Sequence, residues 1–218
     1  MHTLRKQFQK ELKNLHKMLL KMNTAVKTNI DTMILAIKTN NHELANQVIK
    51  GDDFIDELEV KIESFCVDIL ISQQPVATDL REVTAALKMT TDIERISDYC
   101  SSVCEHFIKI QNIPNFQCID KIINLSKNAK LMFNDMIESF LNQNNQTLIN
   151  IIVKDSISDS IYNDLEEFIT THLKEIGIKN SINFILIGRA LERMADHITN
   201  VCHWILFKIT GKFKIKVN

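Results

Sequence analysis

Turn-forming residues are scarce in this chain, which has only four glycines and two prolines among its 218 residues. Because glycine and proline most often interrupt helices and strands, so few of them predict a small number of long elements. No run of 18 apolar residues is present either, so the sequence predicts no membrane-spanning helix. The first eleven residues lack the apolar core of a signal peptide, and we therefore expect a cytoplasmic protein.

An excess of charge of one sign and a pattern of paired cysteines are also missing. The formal net charge is −1, so the chain lacks the basic excess of nucleic-acid-binding proteins, and no nucleic-acid partner is expected. Its five cysteines are an odd number without a Cys-x-x-Cys pair, which argues against a disulfide framework. Cys100 and Cys104, one helical turn apart, resemble zinc ligands, but such pairs are more often small residues of a core.

Helical periodicity fills most of the chain. Apolar residues recur every three or four positions through six long segments, the first running from Leu4 to Ile37, and no segment alternates as a strand does. The sequence therefore predicts an all-α protein of six long helices. The predicted breaks fall at 39–42, 73–75, Pro114, 142–145, Gly177 and Gly211.

Two copies of an acidic motif lie on the third and sixth predicted helices. Ile93–Tyr99 and Leu191–His197 both read apolar, Glu, Arg, apolar, small, Asp, aromatic. Because Glu and Asp are four residues apart, each helix carries both carboxylates on one face. These carboxylates belong to the predicted apolar stripe, where an unpaired charge costs several kcal/mol to bury. We therefore expect a cation to face them.

The preceding helix of each half carries a second acidic pair. Asp52 and Asp56 precede the first motif, and Asp155 and Asp159 precede the second, so the order of elements is repeated. This repeat predicts two tandem pseudo-symmetric three-helix bundles, residues 1–111 and 112–218, that superpose with their acids in register. Short connections make the two acid-bearing helices of each bundle antiparallel neighbours.

Converging carboxylates repel one another unless a cation lies between them, so we expect two metal sites. Their predicted ligands are Asp52, Asp56, Glu94, Asp98, Asp155, Asp159, Glu192 and Asp196. Oxygen ligands suit Mg, Mn, Ca or ferric iron, with Zn also possible. The Glu-x-x-His signature of di-iron bundles is absent from both motifs. In a competing interpretation the acids form salt bridges with nearby basic residues, namely Lys88, Arg95, Arg189 and Arg193.

The sequence resembles the PhoU family of regulators of bacterial phosphate uptake over essentially its whole length. The resemblance is carried by the block from Cys66 to Asp98, which includes Gln73–Arg81 and Asp92–Asp98, and by Gly188–His197. One departure is Ser97, where the family usually has glycine. The resemblance implies two three-helix bundles whose acidic motifs bind metal, with iron, zinc, manganese or magnesium as candidates.

The resemblance also implies a function. It indicates a cytoplasmic homodimer that binds the ATPase of a phosphate ABC transporter and a phosphate-sensing histidine kinase. Such a regulator represses the phosphate-starvation response when phosphate is plentiful and reaches the membrane only through its partners. We expect no catalytic residues, because no Ser-His-Asp pattern, nucleophile elbow or P-loop is present. A carboxylate-bound multi-metal enzyme and a metal-free helical scaffold are the alternatives.

Overall fold

The computed structural model describes residues 2–75, 77–111 and 116–212, with side chains from Arg5 onward except that of Phe116. These residues form eight helices and no strand, which confirms the all-α fold class. In chain order the helices are α1 (His2–Thr39), α2 (His42–Gln73), α3 (Thr78–Phe107), α4 (Phe116–Asn142), α5 (Asn145–Val153), α6 (Asp155–Thr171), α7 (Leu173–Ile176) and α8 (Ile178–Thr210). No helix in the described ranges is both long and apolar enough to cross a bilayer.

Helix boundaries follow local chemistry at most of the predicted breaks. Asn41 caps α2, because its side chain accepts hydrogen bonds from the amides of Glu43 and Leu44. Gly211 ends α8 in the left-handed region, with φ 76° and ψ 2°. Gly177, at another predicted break, also has positive φ, at 80°, but its ψ of 144° differs from the left-handed helical value of Gly211. The predicted break at Pro114 lies outside the described residues.

The fifth predicted helix is divided into α5 and α6. Lys154 lies between them with ψ near 0°, and α6 begins at Asp155 although neither proline nor glycine is present. An acidic residue in the first turn of a helix is stabilised by the helix dipole, which favours a new start at Asp155. The single turn α7 then leads into α8, so the six predicted helices become eight segments.

The helices form two groups that share one core. Helices α1, α2 and α3 pack together in the first half, and α4 packs with α5, α6 and α8 in the second. The most extensive contact in the molecule joins α3 to α8, and α1 also packs against α4. The buried residues of both halves form one continuous cluster. The predicted boundary at residue 112 lies outside the described residues.

Helices α3 and α8 run antiparallel through the centre of the molecule. Asp92 in the middle of α3 accepts hydrogen bonds from Trp204 Nε1 at 3.0 Å and pairs with His197 Nδ1 at 2.8 Å. Towards the start of α3, Glu82 contacts Lys208 Nζ at 2.8 Å and His16 Nε2 at 3.0 Å. These contacts fix the register in which the two acidic motifs lie side by side.

Candidate metal centres

The first acidic cluster lies between the antiparallel helices α2 and α3. One carboxylate oxygen from each of Asp52, Asp56 and Asp98 lies within 4.8 Å of the others. Asp52 and Asp98 are half-buried, whereas Asp56 is exposed at the mouth of the cluster. The spacing of four residues places Asp52 and Asp56 on one side of α2, and the packing of α3 adds Asp98. The structure therefore brings together three of the four predicted ligands of this site at metal-binding distances.

The fourth predicted ligand, Glu94, lies deeper in the same cluster. Burial raises its pKa to about 7, and the negative charges of Asp98 and Glu59 add to the increase. Its Oε2 atom is buried and accepts no hydrogen bond from the described residues, although Arg95 Nε lies 3.4 Å away. A buried carboxylate oxygen without a hydrogen bond is costly, and a bound cation would remove that cost. The burial of this oxygen without a hydrogen bond is the structural observation that supports a metal ion at the cluster.

Glu59 is a member of the first cluster that is not among the eight predicted ligands. Burial raises its pKa, and the negative charges of Glu63, Asp56 and Asp98 contribute to the increase. It follows Asp56 by three residues, so it occupies the next position on the same face of α2. Its helical spacing from Asp56 was the feature of the sequence that could have identified it. With Glu59, the number of carboxylates in the cluster rises from four to five.

Polar side chains from α1 and α3 orient Asp52. The Ser97 hydroxyl donates a hydrogen bond to Asp52 Oδ1, and Asn29 Nδ2 donates to Ser97 Oγ at 3.3 Å. Burial raises the pKa of Asp52, and the hydrogen bond from Ser97 opposes that increase. Ser97, the departure from the usual glycine, therefore has a structural role, since it connects the carboxylate to α1.

Arg95 supplies the positive charge that the protein itself places against the first cluster. Arg95 Nη1 lies 2.6 Å from Asp98 Oδ2, and Arg95 Nε lies 3.4 Å from Glu94 Oε2. The salt-bridge interpretation is thus correct for this side chain. One guanidinium balances only part of the charge of five carboxylates, so the cluster keeps a strong negative potential.

The second cluster combines α6 and α8. Burial raises the pKa of Asp155, and the charges of Asp196 and Asp159 add to the increase. The pKa of Glu192 is also raised, by burial and then by Asp196. Its buried Oε2 atom accepts no hydrogen bond from the described residues and lies 3.7 Å from Arg193 Nε. The four predicted acids thus interact. In the described part of the chain, however, only the first cluster brings three carboxylate oxygens within 4.8 Å.

More positive charge surrounds the second cluster than the first. Arg193 Nη1 lies 3.1 Å from Asp196 Oδ2, and Arg189 Nη1 lies 3.2 Å from Glu192 Oε1. In the repeat, Arg189 corresponds to Thr91 and Tyr162 corresponds to Glu59, so the second cluster gains a cation and loses an acid. We infer a weaker negative potential at the second cluster.

The cysteines near both clusters are core residues. All five are buried free thiols, including Cys100 and Cys104 on the α3 face behind Asp52. Burial raises the pKa of Cys104 to about 12 and also raises that of Cys100. A protonated thiol is a poor metal ligand, so the oxygen atoms remain the ligands that both clusters offer.

Two further features bear on the predicted ligand sets. Ile182 and Arg189, which lie on the same predicted stripe as Glu192 and Asp196 by their helical spacing, are exposed. The acids therefore lie at the border of the buried face of α8, where solvent and ions have access. Glu94 and Glu192 are the more buried member of each motif, and Asp98 and Asp196 are the more open one.

Comparison with known proteins gives matches across both halves. The family model described as PhoU domain matches residues 19–107 and again residues 122–205. A phosphate-specific transport system accessory protein PhoU homolog from Aquifex aeolicus is 34% identical over 186 residues, covering 84% of both chains. The protein of the same name from Clostridium acetobutylicum is 28% identical over 213 residues, covering 95% of this chain and 96% of that one.

A solved structure shares the fold. The crystal structure of the phosphate transport system regulatory protein PhoU from Streptococcus pneumoniae superposes with a TM-score of 0.88 at 25% identity. The match covers 95% of this chain and 99% of that protein. The helical fold of this chain is therefore shared with that protein over nearly its whole length.

Proposed function

This chain belongs to the PhoU family, and we propose that it is an accessory protein of a phosphate transport system that regulates phosphate uptake by binding other proteins. The observation that carries the proposal is the match of the family model to both halves, residues 19–107 and 122–205. Relatives that align with almost the whole chain are named accessory proteins of phosphate-specific transport, and one is named regulatory.

The finer proposal concerns the partners. The protein acts in the cytoplasm as a homodimer, binds the ATPase of a phosphate ABC transporter and a phosphate-sensing histidine kinase, and represses the starvation response when phosphate is plentiful. A binding role suits a molecule built of long rigid helices, because such helices present extended surfaces to partners. It requires no reaction at the acidic clusters.

Metal at the two clusters is the second part of the proposal. Asp52, Asp56, Glu94 and Asp98, with Glu59 beside them, would hold metal in the first bundle. The ligands in the second bundle would be Asp155, Asp159, Glu192 and Asp196. Oxygen atoms alone favour hard cations such as Mg, Mn or ferric iron, with Zn possible. The metal would link α2 to α3 and α6 to α8 and would remove the repulsion between carboxylates.

Partner binding is tested by co-purification with the components of the transporter and with the kinase. The expected result is a complex with the ATPase, the kinase or both, and no hydrolysis of phosphate esters by the protein alone. The double variant Asp98→Asn/Asp196→Asn tests whether the clusters control that complex. Hydrolysis at enzyme-like rates that disappears in this variant would show instead a multi-metal enzyme. Absence of any complex would overturn the regulatory function.

Metal binding is tested by thermal melting with and without a chelator. Binding to the folded state alone adds about 2.7 kcal/mol when free metal is a hundred times the Kd, so chelator should lower the melting temperature of wild type. Because the first cluster is more acidic, Asp98→Asn should reduce the chelator effect more than Asp196→Asn. The exposed residue Glu138 offers a control, Glu138→Gln. An unchanged melt of wild type, with no metal in the preparation, would refute metal binding.

A further inference from the structure

Charge is strongly segregated between the first two helices. Helix α1 contains eight Lys or Arg and two Asp or Glu, a net charge of +6. The neighbouring α2 contains two basic and eight acidic residues, a net charge of −6. The whole chain has a net charge of only −1, so these two helices form a strong local dipole. The acids of α2 include Asp52, Asp56 and Glu59 of the first candidate metal centre, whereas the basic residues of α1 have no part in it.

The lysines of the first half of α1 form a single line, which we call the basic ridge. Its members are Lys6, Lys10, Lys13, Lys17 and Lys21. Their spacing of three or four residues places them on one face of the helix, and all five are exposed. Within the described ranges none of them forms an ion pair. The ridge is about 23 Å long at about 1.5 Å per residue.

The one acid in this part of α1 does not neutralise the ridge. Glu11 accepts hydrogen bonds from Gln7 Nε2 at 2.8 Å and from Gln73 Nε2 at 3.4 Å. It is half-buried and lies on the side of α1 that faces the end of α2. The ridge therefore presents unopposed positive charge to solvent.

Apolar surface lies at the end of the ridge. A groove of about 500 Å³ between α1 and α2 is lined by Leu20, Ala25 and Phe54, with Lys17 and Lys21 at its edge. Leu20 is 37% exposed and Phe54 is 44% exposed, and Lys21 Nζ lies 5.1 Å from the Phe54 ring centroid. The surface thus combines a line of lysines with an apolar anchor site at one end.

This combination fits an acidic helix. Carboxylates at intervals of three and four residues on a partner helix have the same spacing as the lysines, so several pairs can form in one register. A large apolar side chain at the end of that helix would fill the groove beside Leu20. A lipid surface fits less well, because the apolar face of α1 is buried in the core and only a few apolar side chains lie beside the lysines.

We propose that the basic ridge and its groove form a docking surface for an acidic amphipathic helix of a protein partner. The proposal deepens the proposed function, since it gives a surface and a chemistry to one partner contact, and it is independent of metal binding. The partner helix carries Glu or Asp at three- and four-residue intervals and a Leu, Ile or Phe near one end. Binding weakens as ionic strength rises, because the pairs are exposed to solvent.

The test uses a synthetic labelled helical peptide with Glu at these intervals and Leu and Phe at one end, titrated with the full chain. The variant Lys10→Glu/Lys13→Glu/Lys17→Glu should lower the affinity at least tenfold. The variant Lys127→Glu/Lys174→Glu/Lys179→Glu changes net charge equally at exposed sites elsewhere and should leave the affinity within about twofold. Leu20→Ser should weaken binding severalfold while preserving its salt dependence. A peptide with Gln in place of Glu should not bind.

Two results would overturn the proposal. One is equal loss of peptide binding in both triple variants, which would show a response to net charge alone. The other is ridge-dependent binding to phosphatidylserine vesicles without binding to the peptide, which would assign the surface to a membrane. Failure of the proposed function can be distinguished from failure of this docking surface, because peptide binding to the ridge does not require the transporter, the kinase or metal. Unchanged peptide binding by Asp98→Asn would support that independence, and its loss would overturn it.

Discussion

Glu94 shows how burial beside other acids alters a single side chain. It is 11% exposed, and burial with the charges of Asp98 and Glu59 raises its pKa from 4.5 to about 7. Because the folded pKa is higher than the unfolded one, protonated Glu94 stabilises the metal-free fold at low pH. That contribution is fully present below pH 4.5 and is lost as pH rises through 7.

The pH dependence of stability tests this interpretation of Glu94. In chelator, wild type should lose about 1–2 kcal/mol between pH 5 and pH 7.5 relative to Glu94→Gln. Urea unfolding at both pH values gives the measurement, with the exposed Glu175→Gln as the control. Parallel pH profiles for wild type and Glu94→Gln would mean that Glu94 is ionised throughout this range.

Arg95 is expected to compete with metal for the first cluster. Its guanidinium pairs with Asp98 at 2.6 Å and lies 3.4 Å from Glu94, so a metal ion must displace it from both carboxylates. Arg95→Gln should therefore raise the affinity for Mn²⁺ severalfold in a calorimetric titration of chelator-treated protein. Lys88→Gln, which removes an exposed cation from the same helix, should not change the affinity. A lower affinity in Arg95→Gln would show that the arginine supports the ligands.

At the scale of elements, Gly188 lies where side chains of α6 pack closely against α8. A Cβ atom on Gly188 would lie 2.7 Å from Leu165 Cδ2 and 3.1 Å from Tyr162 Cδ2. In a helix interior, replacing glycine by alanine ordinarily stabilises the protein by about 1 kcal/mol. If a larger side chain at position 188 instead destabilises the protein, the cause is its steric contact with α6. Close approach at this position brings Asp155 and Asp159 towards the carboxylates of α8.

Replacement of Gly188 tests that approach. Gly188→Val should destabilise the protein by about 1–3 kcal/mol, because the larger side chain forces α6 away from α8. Gly188→Ala is the matched control. Its single methyl group overlaps Leu165 less than the valine side chain does, and the gain in helix propensity offsets the cost of that overlap. Thermal melting of the metal-free variants supplies the comparison. Equal stability of Gly188→Val and wild type would show that the helices can separate without loss.

At the scale of the whole molecule, Asp92 joins the two bundles across α3 and α8. Its carboxylate contacts His197 at 2.8 Å and Trp204 at 3.0 Å, close to the centre of the antiparallel pair. The two halves also share one hydrophobic cluster. We therefore expect the bundles to unfold together.

Asp92→Ala should lower the free energy of unfolding by about 1–3 kcal/mol, because a half-buried group loses its hydrogen bonds. Fluorescence of Trp204, the only tryptophan, reports the junction, and circular dichroism reports all helices. The two transitions should coincide in wild type, and Glu105→Ala, an exposed change on α3, should leave both in place. Separate transitions in wild type would contradict a single cooperative unit.

The helices and the internal repeat could be predicted from the sequence alone. The spacing of four residues within each acidic pair fixes both carboxylates on one helix face whatever the helix packs against. The order of the pairs indicated two similar bundles, and the prediction of an all-α fold is confirmed. These features are local, because the period of the helix comes from backbone hydrogen bonding within a few residues.

Tertiary packing decided which predicted acids lie close together and what surrounds them. The register of α2 against α3 brings Asp98 to Asp52 and Asp56 and adds Glu59, whereas Tyr162 takes the corresponding position in the second half. Arg189 beside Glu192 likewise makes the second cluster less acidic. Periodicity gives the face of one helix, but the register between two helices depends on how their side chains interlock. Only the structure could therefore show which carboxylates come together in each cluster and which arginines pair with them.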